Sequence, residues 1–156
     1  MKKKVAPAPS CDWRAKSAQS GTESTKPKAR VMKQKGFRWR GTAVEKYKQE
    51  DGSWADVARV SLIGMCGENT KFHLRYFEIA PGGHTTLELH KHEHVVIAVR
   101  GSGECRIDRK VHSLEPLDTV YIPPSAPHQL SNPTDEPFGF FCIVDARRDR
   151  PKAIKK

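Results

Sequence analysis

The sequence predicts one all-β domain, a sandwich or small barrel, carried behind a basic tail. Three observations predict it. From about residue 36 onward the chain reads as short apolar-rich runs separated by Gly- and Pro-bearing turns, the pattern of closely spaced strands. No segment keeps a 3.6-residue apolar period between caps, and no internal repeat is visible. The charge is also split: residues 1–40 hold twelve Lys/Arg against two Asp/Glu, whereas residues 41–156 hold sixteen of each.

Residues 1–35 come first. They are rich in Lys, Pro, Ala and Ser, and such a composition buries too little apolar surface to offset the entropy of ordering. A disordered, solvated extension is expected, with non-specific tethering to nucleic acid or another polyanion as its sharper use. No apolar run approaches the ~18 residues of a bilayer span. "MKKKVAPAPS" does not lead into the apolar stretch of an export signal. The four cysteines, Cys11, Cys66, Cys105 and Cys142, show no CxxC or paired spacing. Cys66 and Cys142 sit in apolar runs and read as buried free thiols of a reducing compartment. A cytoplasmic protein without membrane contact is expected.

The domain spans residues 36–150. Its strand-like runs cover 54–64, 71–80, 85–90, 94–101, 103–108, 110–114, 118–123 and 138–146. "PGG" at 81–83, "GSG" at 101–103, "PPSAP" at 123–127 and "NPTDEP" at 132–137 are the turns between them. The closing "DARRDRPKAIKK" (145–156) is too charged for a core and reads as a docked or frayed end, with 151–156 as its charged C-terminal end.

Within this frame lies "GGHTTLELHKHEHVVIAVRG" at 82–101, with four of the seven histidines. Side chains at i and i+2 of a strand share a face, so Glu88 and His90 point one way and Leu87 and Leu89 the other. "KHE" at 91–93 can turn the chain and bring His94, at the head of the next strand, back toward His90. The Pro-braced loop before His128 fixes a fourth group. Glu88, His90, His94 and His128 then converge from three strands. Three imidazoles and a carboxylate suit a divalent transition metal (Fe, Mn, Ni, Cu or Zn) and fit Ca²⁺ or Mg²⁺ poorly. Ligands at i, i+2 and i+4 of an unbroken strand would span roughly 13 Å, which favours a turn with His92 outside the metal's own ligands. Supporting a ligand, ligating in a variant site and facing solvent all remain open for His92.

Further cavity residues depend on register. In "FHLRYFEIA", His73 and Arg75 share one face and Tyr76 and Glu78 the other. An inward Arg75 would favour a carboxylate-bearing substrate, and inward Tyr76 and Glu78 would offer acid/base groups. The face of His94 continues through Val96 and Ala98. "FGFFCIVDA" offers either Phe138, Phe140, Cys142 and Val144 or Phe141 and Ile143. Gln129 and Asn132 are candidates for bracing His128 or its loop, while His84 is expected at the mouth and His112 on a half-exposed strand.

At these residues the sequence resembles the cupins. The family's first motif is Gly, five residues, His-x-His, three or four residues, Glu, six residues, Gly. Here Gly82, Glu88, His90, His94 and Gly101 fall at matching intervals, with Glu and one His exchanged. The second motif is Gly, five residues, Pro-x-Gly, two residues, His, three residues, Asn. It is matched by Leu117, Pro123, Ser125, His128 and Asn132, so both of its glycines are replaced. The resemblance covers roughly residues 70–146. It implies an antiparallel jelly-roll β-barrel with a metal at its centre and a homodimer paired through edge strands. It does not choose among the family's reactions.

Three functions follow. One is a metal-dependent enzyme of dioxygenase, isomerase or lyase type acting on a small polar organic molecule. Another is a non-catalytic, metal-containing module that binds or senses a small molecule. A third makes the domain a scaffold for a nucleic-acid-binding tail. An acid/base group among Tyr76, Glu78 and His92 facing the metal would favour the enzyme.

Overall fold

The computed structural model describes residues 29–46, 55–65, 67–150 and 152–154. The disorder expected of residues 1–28 and the thiols of Cys11 and Cys66 lie outside them. Every strand pairing among the described residues is antiparallel. A short hairpin, β1 (Gln34–Lys35) and β2 (Arg38–Trp39), is followed by β3 (Glu45–Lys46), β4 (Ala55–Ile63), β5 (Phe72–His84), β6 (Glu88–Leu89) and β7 (His94–Arg100). Then come β8 (Gly103–Ile107), β9 (Lys110–Leu114), β10 (Thr119–Ile122), β11 (His128–Ser131), β12 (Phe138–Asp145) and β13 (Lys152–Ala153).

One wall runs β10-β7-β12-β5-β4-β3 and the other β9-β8-β11-β6-β13, joined where β11 meets the end of β5. The result is a curled antiparallel half-barrel, consistent with a jelly roll. The turn expected at 81–83 is instead a bend inside β5, which continues to His84. Gly83 makes the bend possible: a Cβ there would lie 2.7 Å from the Ala55 carbonyl oxygen.

Period-two alternation decides the core. Phe77 and Ile79 of β5, Val96 and Ala98 of β7, and Phe138, Phe140, Cys142 and Val144 of β12 all point inward and are buried together. Each such large side chain contributes about 1.5–3 kcal/mol on burial. The outward residues form a second cluster of Val60, Leu62 and Tyr76, with Phe141, Leu74 and Val99 against it. Met32, Phe37 and Trp39 cover that cluster, and the Arg30 guanidinium bonds the Leu62 carbonyl at 2.7 Å. The segment around residues 30–35, read from composition as tail, therefore packs on the domain. Phe37 stacks on Tyr76 at 6.0 Å, an anchor that composition does not register.

Leu117 and Ser125, which stand where the resembled motif has glycines, have φ of +81° and +64°. The loops keep a left-handed backbone although the glycines are gone. Both have local support: the Leu117 amide donates to the Ala98 carbonyl at 2.8 Å and the Ser125 amide to the His90 carbonyl at 2.7 Å.

Candidate metal centre

His94 opens β7, where it pairs with Val144 of β12 and Ile122 of β10. His128 opens β11 and lies opposite both Glu88 of β6 and Ile107 of β8. His90 follows β6. Three strands thus deliver three imidazoles, as the alternation argument expects. Their ring centroids are 4.7–4.9 Å apart, and one nitrogen from each lies within 4.8 Å of the others. All three are buried, none more than 8% exposed.

Hydrogen bonds set which nitrogen each ring offers. His90 Nδ1 donates to its neighbour His92's carbonyl at 2.7 Å, and His128 Nδ1 donates to the Ala126 carbonyl at 2.8 Å. Each leaves an Nε2 lone pair free to coordinate. His94 Nδ1 lies 3.4 Å from Cys142 Sγ, and its Nε2 is buried without a hydrogen-bond partner. Burial, followed by the neighbouring His128 and His90, pushes the His94 imidazolium down to about 2. Burial also lowers His90 and His128. Neutral imidazoles, one with an orphaned buried nitrogen, are the state a metal requires. The triad could hold a metal ion.

Glu88 lines the same cavity and acts on His90 and His128 through its charge, but it lies outside the close group of three nitrogens. His92 is outside that group too. Its ring stacks on His90 at 3.6 Å, with 5° between the planes, and its Nδ1 donates to Asp149 Oδ1 at 2.7 Å. It faces the cavity rather than solvent.

The register places His73 and Arg75 inward, on the cavity. The acid/base candidates Tyr76 and Glu78 fall on the opposite face, because their side of β5 packs against the N-terminal hairpin. Tyr76 packs against Trp39 at 4.9 Å and donates to Glu78 Oε2 at 2.9 Å. Burial, then Glu78, raises the Tyr76 phenol. Burial pushes Glu78 up, but hydrogen bonds from Arg38 and Tyr76 and the charges of Arg38 and Arg100 outweigh it and hold Glu78 ionised. They form an outer polar cluster, remote from the imidazoles. Gln129 donates to the Thr85 carbonyl at 2.8 Å. Asn132 donates to the Ile79 and Glu136 carbonyls at 2.9 and 2.8 Å. Both brace backbone, with Gln129 also 3.4 Å from His84 Nδ1, and neither bonds the His128 imidazole. His84 is half-buried beside Gln129, and His112 is exposed.

The closing segment carries what the sequence did not reveal. β13 pairs with β6, Lys152 opposite Leu89 and Ala153 opposite Glu88. Asp149 accepts from the amides of Lys91 (2.9 Å) and His92 (3.2 Å). The Lys91 amide first, then His92, pulls its carboxyl down to about 2. The strap so formed brings Arg148, Asp149 and Arg150 to a cavity of about 710 Å³. Docking is one of the two states expected of this end, but no local pattern in "ARRDRP" marks which residues reach the cavity.

Residues 75–144 match the profile of the Cupin domain family. The chain is 42% identical over 123 residues, 76% of each protein, to the 1-methylthio-D-xylulose 5-phosphate methylsulfurylase of Rhodospirillum rubrum. A cupin-2 domain structure from Rhodospirillum rubrum superposes with a TM-score of 0.72 at 40% identity, covering 79% of this chain and 82% of that one. A cupin 2 conserved barrel domain protein from Rhodopseudomonas palustris gives 0.75 at 37%, covering 81% and 87%. With both motifs in place, the histidines gathered at one cavity and relatives of this similarity over most of its length, the chain belongs to the cupin family.

Proposed function

We propose that this chain is a metal-dependent enzyme acting on a methylthio-substituted ketose phosphate, the substrate class in the name of its relative from Rhodospirillum rubrum. The observation that carries catalysis over simple binding is the His92–Asp149 pair on the cavity wall beside the histidine triad. His90, His94 and His128 would hold the metal, with Glu88 the candidate fourth ligand. When bound, the metal supplies Lewis acidity toward a substrate oxygen.

The protein's own residues do the rest. Asp149 accepts the Nδ1 proton of His92, which orients the ring and leaves Nε2 as the atom that can take or return a proton. Stacking on His90 holds that ring in place. Val96, Phe140 and Leu130 supply apolar wall and limit water around the reacting group.

Elemental analysis of protein purified without a metal-affinity tag tests the centre. A near-stoichiometric transition metal is expected in the wild type and in His92→Ala, and its loss in His128→Ala. Glu88→Ala decides the fourth ligand. Incubation of the metal-loaded protein with 1-methylthio-D-xylulose 5-phosphate, followed by NMR, tests the reaction. Stoichiometric metal and tight ligand binding without turnover would instead support a binding module.

A further inference from the structure

We propose that Arg75 and the strap residue Arg148 form a subsite for a phosphate monoester dianion within the cavity of the histidine triad. The identity of the ester rests on the function proposed above; the subsite itself rests on an uncompensated buried cation.

Arg75 is only 9% exposed. Its guanidinium lies over the Phe77 ring, 5.2 Å from the centroid, and Nη2 reaches Cys142 Sγ at 3.1 Å. Its Nε is buried without an acceptor, and no carboxylate among the described residues pairs with it. A thiol sulfur is a weak acceptor. Arginine cannot shed its proton as a buried lysine can, so a desolvated guanidinium calls for an anion. The fold does not supply one, and Arg75 lines the cavity.

Arg148 approaches the same place from the strap. Its Nη1 donates to His73 Nδ1 at 2.9 Å and to the Asp145 carbonyl at 3.2 Å. His73 lies two residues before Arg75 on the same face of β5. Burial first, then Arg148 and Arg75, lowers the His73 imidazolium, so both positive charges bear on one neutral ring. The Cys142 sulfur that Arg75 Nη2 reaches at 3.1 Å also lies 3.4 Å from His94 Nδ1, which places the cation beside the histidine triad. Lys46, Arg59 and Arg150 add positive charge to the walls, against Glu88 and Asp149. Asp149 is already engaged by two amides and His92. A phosphate monoester carries close to two negative charges at neutral pH, and its oxygens match the guanidinium fork.

The test is calorimetric titration of the metal-loaded full chain with D-xylulose 5-phosphate, D-xylulose, inorganic phosphate and malonate. D-xylulose 5-phosphate is expected to bind at least about ten-fold more tightly than D-xylulose, and Arg75→Met and Arg148→Gln each to weaken it by about ten-fold or more. Arg109→Gln, in the exposed turn between β8 and β9, should leave affinity unchanged. Repetition after metal removal should preserve the dependence on both arginines, which separates this subsite from phosphate bound to metal. Equal affinity for the sugar and its phosphate, or wild-type affinity in Arg148→Gln, overturns the proposal. Malonate binding more tightly than phosphate overturns the choice of anion. Should Arg75→Met fail to fold, the half-buried Arg148 still decides. Turnover of the methylthio substrate unaffected by either change would refute the subsite and leave the reaction standing. Arginine-dependent phosphate binding without turnover would do the reverse.

Discussion

Lowering the pH of the metal-free protein should destabilise it through His94 more than through any exposed histidine. The folded imidazole stays neutral down to about pH 2, because burial and the neighbouring His128 and His90 disfavour its charged form. In the unfolded chain it titrates near its ordinary value of 6.5. Below that value the unfolded state binds a proton that the folded state refuses, so stability falls with falling pH. The window runs from about pH 6.5 toward pH 2, and stability is fully present above it. At about 1.36 kcal/mol per pH unit, His94 alone accounts for a loss of about 2.7 kcal/mol at about pH 4.5. His90 and His128 act in the same direction. The assay is urea denaturation of chelator-treated protein between about pH 7 and pH 4.5, comparing wild type with His94→Gln. The wild type should lose about 2.7 kcal/mol more than the variant over that interval. Parallel curves, differing by less than about 0.5 kcal/mol across the range, would refute the picture of a buried neutral imidazole.

Other consequences can be checked separately. His92→Gln should keep the metal, yet lower kcat by about 100-fold or more if Nε2 moves a proton in the reaction; steady-state kinetics with metal analysis reads both. Asp149→Asn removes the charged acceptor of the Lys91 and His92 amides, and should speed hydrogen exchange at those two amides. Leu117→Gly and Ser125→Gly relieve left-handed φ values of +81° and +64°. Each should raise stability by about 0.5–1 kcal/mol in thermal or urea melts, since a non-glycine residue costs about 1–2 kcal/mol there and glycine returns part of that as chain entropy. Asn132→Ala strands the Ile79 and Glu136 carbonyls and should cost about 2–3 kcal/mol by the same melts.

The β class, the order of the main strands and the gathering of His90, His94 and His128 were legible without the fold. These are properties of local alternation and spacing. A strand commits residues two apart to one face, a polar turn reverses the chain between His90 and His94, and a proline-braced loop sets His128. The same rule gave the right pairing of Arg75 with His73 and of Tyr76 with Glu78, but not which pair faces in. That choice belongs to the tertiary structure, because it depends on what covers each side of β5. Phe37 and Trp39 cover the outer side and take Tyr76 with them, leaving Arg75 to the cavity. The contacts of Arg30 and Met32 with the domain escape composition for a related reason: it measures average polarity, whereas one arginine and a few large apolar side chains suffice to dock a short segment. Asp149 and Arg148 lie farthest from anything local. Their neighbours in sequence are solvated charges, and only the pairing of β13 with β6, more than sixty residues away in the chain, carries them to the cavity. Local spacing and turns brought the three histidines together; contacts between distant segments decided what surrounds them.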